Sequence, residues 1–533
     1  MKSFKIKIGL CLVVLLSTIH HSPLGAQFTF AEDRTFTIDK NLSIYYDVMR
    51  QIDMNYVDTL NYKDLTETAI NAMLKKIDPY TIYYPKSKDD ELKMMTTGKY
   101  GGIGALIQQR EIEEGKNKER ITIIADPYEG KPAQRNGVMA GDRILAVDGW
   151  ETKDHTTSEV SDHLRGTPAT TVTLKLQREG VKKPFEVSFP REEVRIDPIE
   201  YSALFQDTIA YICLREFTTG CANDFVRTLN TLVQQGAKRL IFDLRGNGGG
   251  IVDEAISIVS NFVDRETEIV YTKGKIKEFN RSYVTSSYPA YRDLPLIVLV
   301  DRNSASASEI VSGSLQDLHR ATLIGERTFG KGLVQNVRSI AYDGHLKVTT
   351  SKYYLPSGRC IQAIDYAEQQ KGKTLHKDTA GGILPDIIMA DSQKVDITYT
   401  LYIKNMFFDY ATRYRLNHES IASVQDFEVS DEMLEDFCLF LDEKNFTYET
   451  ETGKYFKDVI KMAQHEDLDS VIIAQLRDFE SVLQPNFREA IARHKDEVKS
   501  LLGAEIISRY YYQRGKFAFL LRDDPVLKKA LEY

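Results

Sequence analysis

The spacing of apolar residues changes along this chain and divides it into regions with different secondary structure. In residues 40 to 97, the stretches NLSIYYDVMRQIDMNYV and YKDLTETAINAMLKKI carry apolar residues at helical spacing. Pro79 follows the second stretch and breaks its pattern. This region is therefore expected to contain two or three packed helices.

Residues 98 to 188 show another pattern, in which short β-branched runs alternate with turns that contain glycine or proline. The runs include ITIIA, RILAVDG and TVTLKLQ, with one helical stretch, TTSEVSDHLRG, before the last of them. This arrangement predicts a small, mainly antiparallel β domain.

From about residue 200, strand-like and helical stretches alternate. The apolar runs are IAYICLREF, RLIFDLRG, EIVYTKG and LPLIVLVD, and the helical stretches between them are DFVRTLNTLVQQG and IVDEAISIVSNFV. Such alternation is typical of an α/β core with a largely parallel sheet. From about residue 395 the chain is helix-rich and aromatic, which predicts either a helical domain or an arm that wraps around a partner subunit.

The N-terminus has the pattern of a signal peptide. MKSFKIK supplies positive charge, IGLCLVVLLSTI is apolar, and SPLGAQ offers small residues for cleavage after Ala26. Leu10, directly before Cys11, argues against a lipoprotein. The mature chain is expected to be exported, to the periplasm. An uncleaved anchor is the alternative, although the apolar run is shorter than the ~20 residues that span a bilayer, and membrane association stays open.

Composition removes several classes of function. The 533 residues include 69 basic and 77 acidic residues, a net charge of −8, which argues against a dedicated nucleic-acid binder. HExxH and CxxC patterns are absent, so we predict no metal and no cofactor. The cysteines that follow the signal peptide are scattered and are expected to be buried free thiols: Cys213, Cys221, Cys360 and Cys438.

Two stretches of the α/β region carry candidate chemistry. DLRGNGGGIVDEA places glycines between a strand and a helix, where backbone N–H groups can bind an oxyanion, although a tight turn alone would also need glycine. LIVLVDRNSASASEIVSGSLQD leads a buried strand through a Ser/Ala repeat into a helix, a setting that exposes a nucleophile. Ser306 and Glu309 also fit a helix-capping box. Local arguments do not rank Ser304, Ser306 and Ser308.

A serine nucleophile requires a base, and the histidines are poorly placed for that role. His319 lies 13 residues after Ser306, about 20 Å along a helix, and nothing local favours His345. GERTFGKGLVQ offers Lys331 instead. A phosphate-binding loop is disfavoured there because Gly332 replaces the required Ser or Thr and a strand, not a helix, follows. Burial would lower the pKa of a lysine enough for it to act as a base.

Gln335 is expected to share a strand face with Lys331 and to orient its amine. The alternative for Lys331 is an exposed lysine in a turn.

Together these motifs resemble those of the C-terminal processing peptidases, the tail-specific serine proteases of the S41 type. The resemblance rests on SASASE, TFGKGLVQ, DLRGNGGG and, before them, PAQRNGVMAGDRILAVDG, which is similar to a PDZ domain. It implies Ser306 as the nucleophile, Lys331 as the general base and Gln335 as its orienting residue. It also implies an oxyanion hole formed by Ala307 with Gly249 or Gly248, and supporting roles for Glu309 and Arg165.

The PDZ resemblance further implies that a glycine-rich loop receives the terminal carboxylate of a bound peptide. The matching residues are Tyr100, Gly101, Gly102, Ile103 and Gly104. The alternative is a glycine-rich turn without a ligand.

The resulting architecture is multidomain α/β, with a peptidase core of the ClpP/crotonase kind. The expected boundaries are 1–26 for the signal peptide, 27–97 for N-terminal helices, 98–188 for the PDZ domain, 189–394 for the core and 395–533 for a helical C-terminal region. The implied function is an exported serine endopeptidase that binds apolar protein C-termini and cleaves near them, with a homo-oligomer left open. The alternatives are a non-catalytic PDZ adaptor and a crotonase-like acyl-CoA enzyme.

Overall fold

The computed structural model describes residues 25–114, 117–366, 381–389, 396–483 and 485–533. The predicted signal peptide therefore lies, apart from its last two residues, outside the described part. The chain divides into two compact units, Met1–Met73 and Leu74–Tyr533, which are described separately.

The first unit is helical, as the apolar spacing predicts. It contains α1 (Gly25–Asn55) and all but the end of α2 (Tyr62–Lys75). The Tyr62 hydroxyl donates a hydrogen bond of 2.6 Å to Asp53 Oδ1 and so connects the two helices. Within the described residues of the whole chain, every helix is too short or too polar to cross a bilayer.

The second unit begins with β1 (Ile82–Tyr84) and α3 (Asp89–Thr97), and a PDZ-like β domain follows. Its elements are β2 (Lys99–Gly102), β3 (Ala105–Glu114), β4 (Asn117–Pro127), α4 (Pro132–Arg135), β5 (Arg143–Val147), β6 (Trp150–Glu151), α5 (Thr157–Leu164), β7 (Thr171–Gln177), β8 (Phe185–Pro190) and β9 (Glu192–Arg195). The sheet is antiparallel in the order β3-β4-β5-β7-β8, so β3 is an edge strand.

The α/β core follows directly. Its elements are β10 (Ile199–Phe205), β11 (Ile209–Leu214), α6 (Cys221–Gln234), β12 (Arg239–Asp243), α7 (Val252–Val259), β13 (Glu268–Gly274), β14 (Ser282–Val284), β15 (Leu296–Val300), α8 (Ala307–Asp317), β16 (Thr322–Gly325), β17 (Leu333–Ile340), β18 (Gly344–Tyr354) and β19 (Ile387–Ile388). The main sheet has the order β10-β11-β12-β15-β16-β19 and is parallel except between β10 and β11.

Both faces of the main sheet are covered, which explains why its inner strands β11 and β15 are apolar and buried at every position. Helices α6, α7 and α8 pack on one face through Phe225, Ile258 and Ile310. A second, antiparallel sheet is built from β17, β18, β13 and β14, and β1 joins its edge beside β18. The region expected to be purely helical thus contributes a strand to the core.

The C-terminal region is a helical domain with its own core, so of the two alternatives the domain is observed. Its helices are α9 (Asp396–Ile403), α10 (Met406–Asn417), α11 (Asp431–Glu443), α12 (Glu451–His465), α13 (Ser470–Val482), α14 (Phe487–Arg493), α15 (Lys495–Leu521) and α16 (Pro525–Leu531). Phe407, Tyr410, Phe437 and Phe440 are among its buried residues. Helix α15 has a kink at Tyr512, where φ is 55°.

The helical domain packs against the PDZ-like domain through an aromatic ring held between two cations. The Phe408 ring centroid lies 4.6 Å from Arg110 Cζ and 4.2 Å from Arg509 Cζ. Arg110 also forms an ion pair with Asp409. Arg509 is buried and pairs with Glu505 at 3.0 Å, so this interface is fixed by desolvated, directional contacts.

The interface is also close-packed, which makes Gly141 sensitive to substitution. A Cβ at Gly141 would lie 2.5 Å from Thr412 Cγ2, whereas a Cβ at Gly137 would meet nothing within 4 Å. Both glycines have positive φ, +93° and +77°, so alanine at either position adds about 1–2 kcal/mol of backbone strain. We expect Gly141→Ala to destabilise the protein by a further ~1–3 kcal/mol through overpacking.

The measurement is urea-induced unfolding of both alanine variants, with Gly137→Ala as the control. Thr412→Ala removes the colliding methyl group, so a double-mutant cycle should show coupling of about 1 kcal/mol between Gly141→Ala and Thr412→Ala. Additive effects would contradict the packing assigned to this interface.

Candidate active site

The structure separates the three serines of the Ser/Ala repeat. Ser304 and Ser308 are fully buried, and their hydroxyls donate to backbone carbonyls of the glycine-rich turn, Ser304 to Leu244 O at 2.8 Å and Ser308 to Asn247 O at 2.9 Å. Ser306, between them, lines a cavity of about 820 Å³. Two serines therefore attach the repeat to the turn, and the serine implied by the family resemblance faces open space.

Ser306 has an unusual backbone conformation, with φ 57° and ψ −112°, and forms the N-cap of α8. Positive φ is strained for a residue with a Cβ. It brings the start of α8 directly behind Ser306, and among the described residues the N–H of Ala307 has no intramolecular acceptor. The strand-to-helix turn thus has the geometry expected for an exposed nucleophile beside a free amide.

The Glu309 carboxylate holds this turn and the Lys331 loop together. It is fully buried and accepts hydrogen bonds from Ser306 N–H at 2.9 Å, Thr328 Oγ1 at 2.6 Å, Gly330 N–H at 2.8 Å and Lys331 N–H at 2.8 Å. Burial raises the pKa of Glu309 although these donors act in the opposite direction. Of the capping box expected from the sequence, the half in which Glu309 reaches back to the Ser306 N–H is present, whereas the Ser306 side chain makes no capping hydrogen bond within the described part of the chain. The Glu309 side chain also positions the predicted base.

Tyr353, which the sequence did not single out, bridges the same two segments. Its ring is buried, and its hydroxyl lies 2.7 Å from Lys331 O and 3.0 Å from Ser306 O. Burial raises the pKa of this tyrosine well above its ordinary value, so the hydroxyl stays protonated and can donate. Ser306 and Lys331 are therefore fixed relative to each other at the backbone level from two sides.

Lys331 lies in the loop before β17 and lines the same cavity as Ser306. Burial lowers the pKa of Lys331, and the Lys347 ammonium lowers it further, while Glu309 and Asp78 oppose the shift. Its Nζ lies 4.6 Å from the Tyr80 ring centroid. Within the described residues, Lys331 Nζ and Ser306 Oγ are not hydrogen-bonded to each other.

Gln335 lines the cavity too, but its amide does not contact Lys331. Its Nε2 donates to Leu333 O and Thr349 Oγ1, both at 3.3 Å. The pairing of β17 with β18 shifts register between Val334 and Gln335. The unpaired residue at this shift is Thr350 of β18, so the alternation of side chains along β17 is not interrupted. In the described structure, Lys331 and Gln335 line the same cavity without a hydrogen bond between them.

The glycine-rich turn between β12 and α7 is organised by Asn247, which is buried. Its Nδ2 donates to Leu214 O at 2.8 Å, and its Oδ1 accepts from Gly249 N–H at 2.8 Å. The Gly249 amide is therefore already engaged. In the described residues the Gly248 N–H has no intramolecular acceptor, and Gly248 lines the cavity beside Ser306.

Gly249 has a steric role in this arrangement. It adopts φ +101°, and a Cβ there would lie 2.7 Å from Ser306 Cβ and 2.7 Å from Ala305 O. Only glycine lets the turn approach the Ser/Ala repeat this closely. Two glycines were expected to contribute an oxyanion amide. Of these, Gly248 has the available N–H, and Gly249 makes the close steric contact with Ser306.

The predicted carboxylate-binding loop lies at the junction between the PDZ-like domain and the core. Tyr100, Gly101 and Gly102 belong to β2, which pairs antiparallel with β9, and Gly101 O accepts from Gly166 N–H at 3.1 Å. Ile103 is buried in the domain core. Gly104 has φ +71° and precedes β3, the edge strand.

Arg165 connects this loop with the cavity wall. It follows α5, and its Cζ lies 5.8 Å from the Tyr100 ring centroid. Its Nη2 lies 3.6 Å from Met94 Sδ in α3, and the next residue, Met95, lines the catalytic cavity. Arg165 is thus close both to the glycine-rich loop and to the cavity wall. This is the position required of a residue that couples peptide binding at the loop to the cavity.

Comparisons with known proteins identify three domains along the chain. The model of peptidase family S41 matches residues 208–388, that of the PDZ domain matches residues 123–178, and that of the probable PDZ-protease, C-terminal helical domain matches residues 397–533. The last match covers the C-terminal helical region, where the sequence motifs did not indicate a family.

Curated relatives of this chain are named as processing proteases. A carboxy-terminal-processing protease of Bartonella bacilliformis is 33% identical over 66% of this chain and 75% of its own length. A carboxyl-terminal-processing protease of Picosynechococcus is 31% identical over 66% of this chain and 86% of its own length. Among solved structures, a photosystem II D1 C-terminal processing protease aligns at 26% identity over 65% of this chain and 92% of its own, with a TM-score of 0.36.

The adaptor and acyl-CoA alternatives find no support in these matches, whereas the motifs around Ser306 and Lys331 fall inside the matched peptidase region. On the identity and coverage of its relatives, the chain belongs to the carboxyl-terminal-processing proteases of peptidase family S41 and is a serine-type peptidase with a PDZ domain.

Proposed function

We propose that this peptidase cleaves polypeptides through a Ser306–Lys331 dyad after its PDZ domain has bound an apolar C-terminus. The observation that carries the proposal is the bridging of Ser306 and Lys331 by Glu309 and Tyr353 at the edge of one cavity. A buried network that holds a serine and a lysine of lowered pKa together is difficult to explain by folding requirements alone.

In the proposed mechanism, neutral Lys331 accepts the Ser306 hydroxyl proton while Oγ attacks the scissile carbonyl carbon. The N–H groups of Ala307 and Gly248 donate to the developing oxyanion. Lys331 then returns the proton to the leaving amine, and water hydrolyses the resulting ester by the reverse sequence of proton transfers. Glu309 remains a positioning residue, because all its hydrogen bonds go to the turn and the loop.

The PDZ domain is proposed to bind the substrate's C-terminus as an added strand. The edge strand β3 and helix α5 flank the groove for such a strand. Val160 and Leu164 of α5 and Ile103 beside the loop are apolar and belong to one cluster, which suits an apolar terminal side chain. Gln109 Nε2 donates to His155 O at 2.6 Å across this region, so a bound strand would have to replace or accommodate that contact.

Export is proposed from the N-terminal sequence alone, which has the pattern of a signal peptide. Cleavage after Ala26 would release a chain that begins at Gln27. The processed N-terminus of the protein isolated from its native membrane and soluble fractions, determined by mass spectrometry, would distinguish cleavage from a retained anchor.

The dyad is tested with wild type, Ser306→Ala and Lys331→Ala, all beginning at Gln27. Each is incubated with an unfolded protein that ends in apolar residues and with the same protein ending in charged residues. We expect both substitutions to lower cleavage by about 10³-fold or more, and wild type to cleave the apolar tail faster. Cleavage that survives both substitutions would contradict the proposed residues, and equal rates on the two tails would contradict the PDZ selection.

The pH dependence tests the base. A lysine acts as a base only when neutral, so activity should rise with pH through the pKa of Lys331, which burial and the Lys347 ammonium lower relative to an exposed lysine. Lys347→Met removes a like charge, raises the pKa of Lys331 and should shift this rise in activity to higher pH. Lys347→Arg keeps the charge and serves as the control. If activity rises at the same pH in Lys347→Met and Lys347→Arg, the charge of Lys347 does not lower the pKa of Lys331.

A further inference from the structure

The C-terminal helical domain contacts the glycine-rich turn of the active site through one ion-paired network. Arg245 is the second residue after β12 and begins the segment that leads to Gly248. Its guanidinium donates to Asp243, with Nε 3.0 Å and Nη2 2.6 Å from Oδ2. The same Nη2 lies 2.6 Å from Asp524 Oδ2, in the loop between α15 and α16.

Each member of this network is confined by other bonds. Asp243 is buried and accepts from the Tyr211 hydroxyl at 2.6 Å. The exposed fractions of the Arg245 and Asp524 side chains are only 22% and 14%. Asp524 also caps α16, since its Oδ1 accepts from Val526 N–H at 2.8 Å and Leu527 N–H at 3.0 Å. The carboxylate thus uses one oxygen for the helix and the other for Arg245.

Helix α16 is a fixed support for this contact. Val526, Leu527 and Ala530 are buried in one apolar cluster with Ile241 and Leu299 of the main sheet. The cluster covers the face of the sheet opposite α6, α7 and α8, so α16 packs behind the strand from which the turn emerges. Asp524 therefore projects from a rigid element toward a turn that has to be placed accurately.

The other anchors of the turn come from the end of β11 and from the segment after β15, and these two strands flank β12. Gly246 N–H donates to Asp301 Oδ1 at 2.9 Å, and Asn247 attaches the turn to β11 and the Ser/Ala repeat. These contacts all come from within the core.

Arg245 also lines the catalytic cavity. Without Asp524, its guanidinium would be held beside Gly248 by Asp243 alone, a residue of the same segment that also accepts the Arg245 backbone N–H at 2.9 Å.

We propose that Asp524 is a positioning residue for catalysis: through Arg245 it fixes the turn that presents the Gly248 amide to the oxyanion. The C-terminal helical domain is then part of the active-site scaffold and not only a cover for the sheet. The inference rests on the proposed function, because it gives the Gly248 amide a role only if Ser306 forms an oxyanion there.

The test compares Asp524→Asn, Asp524→Glu and Asp523→Asn in the chain beginning at Gln27. Asparagine is as good a helix cap as aspartate but has no charge for Arg245, so it separates the cap from the ion pair. Asp523 is the matched control, since it is exposed and pairs only with Lys528 on the surface. The measurements are kcat and KM on the apolar-tailed substrate, and the affinity of a peptide aldehyde whose adduct with Ser306 requires the oxyanion amides.

We expect Asp524→Asn to lower kcat by about 10-fold or more, with KM within twofold of wild type. Aldehyde affinity should fall in parallel. Asp523→Asn should match wild type, and Asp524→Glu should recover most of the lost rate. Asp524→Asn should remain fully folded at the assay temperature, because the cap and the apolar contacts are retained.

Three results would overturn the proposal: a kcat for Asp524→Asn within twofold of wild type, an aldehyde affinity that does not follow kcat, or a loss of activity matched by loss of folded protein. Ser306→Ala is measured in the same series to separate the two hypotheses. If Ser306→Ala still cleaves, the proposed nucleophile fails. If Ser306→Ala is inactive and Asp524→Asn is fully active, the positioning role alone fails.

Discussion

The buried carboxylate of Glu309 is the interaction on which the site depends. Its four donors belong to the Ser306 turn and to the loop Thr328–Lys331, two segments that no strand pairing connects. A carboxylate without water would be strongly unfavourable unless hydrogen-bonded, and here it is satisfied only when both segments are in place. The strained φ of Ser306 is maintained by the same bonds, so the energy of the network stabilises the conformation that exposes the nucleophile.

Outside the active site, the helical domain holds other parts of the molecule together. It contacts the PDZ domain at the Phe408 ring and at Gly141, and it contacts the sheet through Leu527 and Val526. Full burial of each such apolar side chain contributes roughly 1.5–3 kcal/mol, whereas the cation–ring contacts mainly fix orientation. The PDZ domain and the peptidase core are therefore held against one common body, and α15 runs from the first to the second.

The sequence predicted the order of helical, PDZ-like and α/β regions because those features follow local patterns. Apolar runs such as LIVLV and the Ser/Ala repeat carry their own evidence for strand, turn and helix. Tyr353 could not be found in this way, since its role depends on a register in β18 that brings its hydroxyl between two distant carbonyls. Asp524 is separated from Arg245 by 279 positions and gives no local signal.

The details that the sequence did not predict have equally physical causes. Gln335 was placed by alternation from Lys331 and lines the same cavity, but alternation does not reveal that its amide donates to Leu333 O and Thr349 Oγ1. Choosing between Gly248 and Gly249 required knowing which amide Asn247 uses, and glycine repeats contain no information about that. Strand β1 was missed because three residues between helices carry too little periodicity to identify.

The contact between the Lys331 side chain and Tyr80 depends on whether the lysine is charged. Its Nζ lies against the Tyr80 ring, a contact that attracts an ammonium by roughly 0.5–2 kcal/mol and gives a neutral amine no such attraction. Loss of the proton therefore weakens the contact of Tyr80 with the amine that is proposed to accept the Ser306 proton. Because Glu309 and Tyr353 already tie the backbones of Ser306 and Lys331 to each other, forming the proposed dyad would require movement of the lysine side chain and not of the backbone.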